Sequence, residues 1–445
     1  MKKLFSVQKK PVRRLFTASL FVLLVLLFST TGRVEAERYD VPHNRKISDI
    51  LPADQIKGEH YKIHKEVVFK GYMDTFKVDS DYSAFEVTGD GALRKLLKEI
   101  HAITILKQIG KTEAFTEALA DAAKKPFQFA GNLITKPVET VSSVPKGVAS
   151  IFEGAYAGVT TKSQAGEDSQ AESLLLSKYK REYAYNLGVD VYSSNAALQA
   201  ELDRIGWAAA VGSLSFSAAT APIGGGVGMA VSYTGLAQDV NNYLKDQPPS
   251  KIRSDAKKKL AEMGVSEELV KDFLENPNYT PRHTTVIVAN LMKLEGAEGR
   301  DAFIKYSLSA TDEESANFIQ NVAETIRGYH ESVSPIKEIM MHSNLILARS
   351  KEDTVLIPFP LDYGIWTENI EKLINDIVNT NKKEIGADVK IDLWVTGTVS
   401  PLARKNLEEL GVQVAEKVYE RTDFVDFASP IKEKSDDQNN MNKED

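Results

Sequence analysis

A stretch of 34 residues without a charge, 205–238, limits what this chain can fold into more than any other feature. Its residues are mostly Ala, Gly, Ser and Val, with Trp207, Phe216 and Tyr233 spaced among them. Pro and Gly residues at 222–226 interrupt it in the middle. The pattern predicts a hairpin of two short helices whose small side chains let the two backbones approach closely.

Two interpretations of this hairpin are open. A hairpin inserted in a membrane would contact lipid through Trp207, Phe216 and Tyr233. Each arm has only about 15 residues, whereas a membrane-spanning helix needs about 20 apolar residues. We therefore expect the hairpin to be packed in the interior of the protein, and we keep membrane contact as the alternative.

The first 36 residues are typical of an export signal. Six Lys and Arg residues precede a 14-residue apolar run at 15–28, and the segment ends in Val34-Glu35-Ala36. A basic start, a short apolar core and small residues before the cut are the parts of a signal peptide. We expect cleavage after Ala36 and export to the periplasm or the exterior of a bacterial cell. An uncleaved membrane anchor is the alternative interpretation.

Charge and cysteine content exclude several classes of function. The signal segment has seven basic residues and one acid, so removing its net charge of +6 changes the charge of the chain from −7 to −13. A protein this acidic lacks the basic surface that binds nucleic acid. The chain has no Cys, which rules out thiolate zinc sites, iron–sulfur clusters and cysteine nucleophiles.

The remaining sequence predicts an α+β fold that is mainly helical. Apolar residues alternate over 61–87, which predicts a small N-terminal β-hairpin or meander. Helical periodicity begins after Gly91 and dominates to residue 341. The order of elements after residue 345 is ββαβαβ, which predicts a small α/β unit with a parallel crossover.

Composition and periodicity also suggest where the chain divides. The expected parts are a signal peptide (1–36), a β-hairpin with helices and a Pro- and Gly-broken apolar segment (37–160), a linker (161–172), a helical domain (173–341), a small α/β domain (342–428) and a disordered tail (429–445).

A loop between a predicted strand and helix is a candidate anion site. Residues 396–401 follow a buried strand, and Ser400 and Pro401 are suited to the start of a helix. Free amides at a helix N-terminus can bind an anion, here with Gly397, Thr398 and Ser400. The same residues are also what a strand–turn–helix needs in order to fold, and the glycine pattern of nucleotide-binding loops is absent.

No catalytic residues, metal ligands or cofactor are predicted. His60 and His64 lie near Asp79 and Asp81 in a predicted turn, and His101 lies in the helix after it, but this spacing arises readily by chance. Solvated or hydrogen-bonded histidines are the expectation. Local signatures of serine nucleophiles are also missing, although the members of a catalytic triad can be scattered in sequence.

Several segments carry a resemblance to other proteins. They are residues 93–103, 135–140 and 144–148, and the C-terminal motif Leu-Trp-Val-Thr-Gly-Thr-Val-Ser-Pro-Leu-Ala-Arg at 393–404. This set resembles a group of uncharacterised exported proteins of Gram-negative bacteria. The resemblance implies bacterial export and brings no activity, cofactor or site residue with it.

The sequence thus predicts an exported, non-enzymatic envelope protein that acts by binding or assembly. Its partner is an unknown envelope protein or ligand, and not a nucleic acid. One alternative is a membrane-active protein that inserts residues 126–160 and 205–238. Another is a hydrolase whose active site is assembled from dispersed residues.

Overall fold

Alternating apolar residues build the first part of the fold, an antiparallel sheet. A computed structural model of the chain describes residues 38–123, 167–212, 214–220 and 235–426, and every element below lies in the unit that begins at Val41. The strands are Arg45–Lys46 (β1), Tyr61–Ile63 (β2), Glu66–Lys70 (β3), Met73–Ser80 (β4) and Ala84–Thr88 (β5), with a short helix, Ala53–Ile56 (α1), between β1 and β2.

The central strand of this sheet is β4. Strands β3 and β2 pair with successive parts of one edge of β4, and β5 pairs with the other edge. Alternate residues of β4, among them Phe76 and Val78, are buried, as expected for a sheet with one face against a core. The predicted N-terminal β-meander is therefore confirmed.

Eleven helices of the described chain lie between this sheet and strand Ile336–His342 in sequence. They are Asp90–Ile109 (α2), Glu113–Ala123 (α3), Glu167–Asn186 (α4), Ala196–Gly212 (α5), Phe216–Thr220 (α6), Gly235–Asp246 (α7), Pro249–Glu262 (α8), Glu267–Glu275 (α9), Pro281–Lys293 (α10), Arg300–Ser307 (α11) and Glu313–Ser332 (α12). The Ser266 side chain caps α9 by accepting a hydrogen bond from the Leu269 amide.

Helix α2 connects two hydrophobic cores. Its first turns place Leu93 and Ile100 against the sheet residues Phe76 and Val78. Its last turns are buried on nearly every side, and Ile103, Leu106 and Ile109 join a second core with α3, α4 and α5. A helix with apolar residues on most of its sides is largely buried, as the second half of α2 is apart from His101, Lys107 and Gln108.

A five-stranded mixed sheet forms the C-terminal part. Its strands are Ile336–His342 (β6), Leu345–Ser350 (β7), Val355–Pro358 (β8), Ile391–Trp394 (β10) and Val412–Ala415 (β12), in the spatial order β12-β10-β8-β7-β6. Strands β8, β10 and β12 are parallel, joined through helices Glu368–Glu384 (α13) and Pro401–Glu409 (α14). A small parallel pair, Tyr363–Gly364 (β9) with Thr398–Val399 (β11), lies beyond the carboxyl ends of β8 and β10.

The α+β class and the C-terminal ββαβαβ order are thus confirmed. Two details differ from the expected divisions. Strand β6 starts at Ile336, inside the range 173–341 that was assigned to helices. The assignment was wrong there because a short apolar run such as Ile-Met-Met fits the periodicity of a helix as well as that of a strand. Helix α4 starts at Glu167, inside the range 161–172 assigned to a linker. The signal segment, residues 126–160 and the tail 429–445 lie outside the described residues.

Candidate functional site

Buried charges gather where helices α2, α10 and α12 meet the α4–α5 connection and the end of the described chain. Three basic and three acidic side chains line a small opening there, which we call the charged pocket: Lys95, Lys98, Glu99, Asp190, Arg282 and Asp426. The opening reaches solvent and has room for about two water-sized groups. Burying a charged side chain costs free energy unless the charge is paired and hydrogen-bonded.

Lys95 and Asp190 form the first ion pair of the charged pocket. Lys95 Nζ lies 3.3 Å from Asp190 Oδ2, and the side chain of Asp190 is only 4% exposed. The other oxygen of Asp190 accepts a hydrogen bond from the Tyr192 amide at 2.9 Å. Burial opposes the charge of Lys95, but Asp190 and Glu99 outweigh it and raise the pKa of Lys95. Lys95 is therefore held as an ammonium ion.

Arg282 and Asp426 form the second pair. Arg282 donates from Nη2 to Asp426 Oδ1 at 3.0 Å and from Nη1 to Asn241 at 3.0 Å, and Gln320 donates to Asp426 Oδ2 at 2.9 Å. Burial alone would raise the pKa of Asp426, but Arg282 and Lys95 lower it well below its ordinary range. Asp426 is therefore an anion, and both of its carboxylate oxygens accept hydrogen bonds from side chains of the same protein.

Helix α12 holds the chain segment that carries Asp426. Glu324 accepts a hydrogen bond from the Val425 amide at 2.7 Å, and Arg327 donates to the carbonyl of Asp423. Burial, with Asp426 nearby, raises the pKa of Glu324 to about 8, so Glu324 is mostly protonated at neutral pH. Residues 423–426 are thus fastened as one wall of the charged pocket.

Glu99 lies almost entirely inside the protein, 3% exposed. Its Oε2 accepts a hydrogen bond from Asn195 at 3.0 Å, while Oε1 has no hydrogen-bond partner among the described residues. Burial raises the pKa of Glu99, against the effect of Lys95, Ser193 and Asn195.

Lys98 differs from the other two cations of the pocket. Within the described chain its ammonium group makes no hydrogen bond and no ion pair, although it lines the opening. Burial lowers the pKa of Lys98; Asp426 acts against this shift, and Arg282 and Arg94 add to it. The Lys98 ammonium group is therefore a positive charge in the pocket whose N–H donors are not used by the described residues.

The predicted anion loop is closed by the protein's own groups. Thr398 donates its amide to the carbonyl of Asp362 at 3.1 Å, and Gly397 packs on that same carbonyl. Ser400 is buried and caps α14 by accepting from the Ala403 amide at 2.9 Å. The Val399 amide donates to the carboxylate of Glu416 at 2.7 Å. Of the amides in this loop, that of Val399 is thus bonded to a carboxylate of the same molecule, and that of Thr398 to a backbone carbonyl.

Two of the three predicted membrane-contact residues pack inside the described structure. Trp207 is 5% exposed and contacts Leu119, Leu176 and Ala210. The ring of Phe216 lies edge-on to Tyr183, with 5.3 Å between centroids. Tyr233 lies outside the described residues. Among the helices of the described chain, none is both long enough and apolar enough to cross a membrane.

The histidines pair with the carboxylates expected near them. His60 Nδ1 lies 2.8 Å from Asp81 Oδ2, and His64 Nε2 lies 2.9 Å from Asp79 Oδ2. Both pairs are exposed. In the part of the chain that the structure describes, no cluster of three or more His, Asp or Glu side chains is arranged to hold a metal ion.

The sequence interpretation missed the charged pocket. The helical periodicity predicted after Gly91 gave no role to the charged residues Lys95, Lys98 and Glu99. A signal was present, since the run from Ala102 to Leu106 has no charged residue and covers more than one turn of α2, which indicates a helix that is buried on most of its sides. Nothing local predicts that Asp190, Arg282 and Asp426 meet this helix.

Comparison with known proteins finds no matching family model, no similar curated protein and no similar solved structure. The resemblance to exported proteins of Gram-negative bacteria remains a prediction from the sequence.

Proposed function

We propose that this chain is an exported bacterial envelope protein that acts by binding or assembly, and that the charged pocket is its binding site. The observation that carries the proposal is Lys98, a pocket-lining ammonium group with no hydrogen-bond or ion-pair partner among the described residues. A protein gains no stability from a charge that is partly buried and unpaired. Such a group is typical of a site that is completed by a ligand.

The chemistry of the pocket favours a small carboxylate. Lys98 supplies a positive charge and donors, and Arg282 and Arg94 add positive potential around it. Glu99, Asp190 and Asp426 surround the same opening and would repel a multiply charged anion. The opening has room for only one or two water-sized groups, so a small head group such as a carboxylate suits it better than a bulky one. A small organic acid, or the carboxylate end of a larger ligand, fits these limits.

Replacing Lys98 by Met tests this role. The substitution keeps the length of the side chain and removes a charge that the folded state does not pair, so we expect K98M to be more stable than the wild type without ligand. We also expect formate to raise the thermal unfolding midpoint of the wild type and to leave that of K98M unchanged. The measurement is a thermal melt of each protein across one series of formate concentrations.

A matched control is Lys258→Met, which removes a lysine charge from an exposed face of α8, where Lys258 is 74% exposed. This variant should respond to formate as the wild type does. The proposal is wrong if K98M responds to formate as strongly as K258M, or if K98M is less stable than the wild type at zero formate.

The export part of the proposal rests on the first 36 residues and on the acidic, cysteine-free composition of residues 37–445. In a Gram-negative host that expresses the full chain, we expect the protein in the periplasm or medium with Glu37 as its first residue. Retention in the cytoplasm with an uncut N-terminus would contradict it.

A further inference from the structure

A second group of buried charges joins the N-terminal sheet to the C-terminal unit. Asp362, which lies after β8, accepts a hydrogen bond from the Asp74 amide of β4 at 2.8 Å and one from the Asp90 amide of α2 at 3.0 Å. In return, the carbonyl of Tyr72 accepts from the amides of Asp362 and Tyr363 at 3.1 and 3.2 Å. Four hydrogen bonds thus cross the junction at this point.

The side chains at the junction do not balance in charge. Arg45 pairs with Asp74, and Arg94 pairs with Asp90 at 2.9 Å. Asp362 is the third carboxyl, and no basic side chain of the described chain forms an ion pair with it. Three carboxylates against two guanidinium groups leave one negative charge in excess, in a place where the side chain of Asp74 is 1% exposed.

Two acceptor atoms at the junction are unused. Asp74 Oδ1 and Asp90 Oδ1 are buried and have no hydrogen-bond partner among the described residues. Both belong to residues whose amides already bond to Asp362. One proton bound by this group of carboxyls would neutralise the excess charge, and a protonated carboxyl is a donor that an unused acceptor could accept from.

We propose that Asp74, Asp90 and Asp362 hold one proton in common, and that this proton fastens the N-terminal sheet to the C-terminal α/β unit. The other ionisable groups facing the cluster are the phenols of Tyr72 and Tyr363 and, beside Arg94, Tyr419 and Glu420. Glu420 is exposed, so solvent screens its charge.

The titration of the cluster agrees with this geometry. Burial raises the pKa of Asp362 to about 7, the two amide hydrogen bonds oppose the shift, and Asp74 and Asp90 add to it. Burial also raises the pKa of Asp74 to about 6, against the effect of Arg45. A carboxyl whose pKa is raised on folding gives stability that is complete below about pH 4 and is lost as the pH rises to its folded value. The junction should therefore weaken between about pH 4 and pH 7.

Asp362→Asn removes the shared proton and keeps the shape of the side chain. For the wild type we expect the hydrogen-exchange protection of the Asp362 and Tyr363 amides to fall by about tenfold or more from pH 5 to pH 8, after correction for intrinsic exchange. In D362N the fall in protection from pH 5 to pH 8 should be clearly smaller than in the wild type, because the carboxyl whose pKa is raised to about 7 is gone while that of Asp74 remains. Asp388→Asn, at an exposed position of the same unit, should behave as the wild type does.

Wild-type protection that does not change with pH, or an unchanged pH dependence in D362N, would overturn the proposal. If D362N does not fold, infrared spectra of the wild type carrying ¹³C-labelled aspartate decide the question. The label separates the Asp carboxyls from that of Glu324. We expect a protonated-Asp band at pH 6 that is gone at pH 9, and its absence at pH 6 would refute a shared proton.

Discussion

Single residues at the carboxyl edge of the C-terminal sheet show how closely two parts of this protein approach. A Cβ on Gly397 would overlap the backbone of Leu361 and Asp362. The Asp362 carbonyl accepts the Thr398 amide, and its carboxyl carries the junction to the N-terminal sheet. Position 397 therefore needs a glycine, because the close contact with Asp362 that closes the predicted anion loop leaves no room for a Cβ.

Gly397→Ala should destabilise the protein by about 2–3 kcal/mol, because rigid backbone atoms lie where the new methyl group must go. Gly110→Ala is the control, since the atoms nearest to a Cβ there belong to the guanidinium end of the Arg204 side chain and not to rigid backbone. We expect the control to cost less than about 1 kcal/mol. Urea denaturation measures both, and equal losses in the two variants would show that the close approach at Gly397 does not matter.

Local residue patterns predicted part of this edge and missed the rest for a physical reason. Ser400 was recognisable as a helix cap because capping depends on the next three residues only. The anion that meets the loop is Glu416, and the sequence interpretation did not foresee that the protein supplies it. Long-range contacts determine which backbone amides stay without a partner after folding. A short sequence motif carries no information about those contacts.

At the scale of elements, the charged pocket depends on helices α10 and α12 holding the segment 423–426. Arg282 bonds to Asp426 and lies 4.0 Å from Asp190, so it links the end of the described chain to the α4–α5 connection. Removing one partner from a buried charge network is strongly destabilising, because the remaining charges stay buried without compensation.

Arg282→Met should therefore cost about 3–5 kcal/mol, since it leaves Asp426 and Asp190 without their guanidinium. Arg253→Met is the control; Arg253 pairs with Glu275 at 3.5 Å on the surface, and this pair is worth less than about 1 kcal/mol. Guanidinium chloride denaturation at pH 7 gives both values. A loss for R282M no larger than that for R253M would show that the network does not hold the segment.

The sequence predicted the helices and strands better than it predicted the contacts between them. The periods of the N-terminal strands, of α2 and of the C-terminal ββαβαβ order were readable because each depends on neighbours in the chain. The charged pocket joins Lys95 to Asp426, which no local period connects. The sequence therefore gave no sign that Lys95 on α2 pairs with Asp190, which lies almost a hundred residues further along the chain.

At the scale of the whole molecule, α2 links the parts that the sequence assigned to separate domains. Its first residue, Asp90, lies at the junction with the C-terminal unit, its middle lines the charged pocket, and its last turns belong to the helical core. The charged pocket and the proton-sharing junction are thus attached to one rigid helix.

Unfolding of residues 37–445 should be a single cooperative transition for this reason. Trp207 reports on the helical core, and Trp366 and Trp394 report on the C-terminal part. A variant with Trp366 and Trp394 replaced by Phe should show the same fluorescence midpoint in urea as its circular dichroism. A separate transition seen by Trp207 alone would mean that the helical part unfolds independently.

The central claim is that Lys98 is a free ammonium group that a small anion completes, and lysine titration tests it most directly. In NMR spectra of the protein labelled with ¹³C-lysine, we expect one lysine with a lowered pKa whose signal is absent from K98M. Adding formate should raise that pKa, because a bound anion favours the charged form. A Lys98 signal with an ordinary pKa, or one whose pKa formate leaves unchanged, would contradict the account.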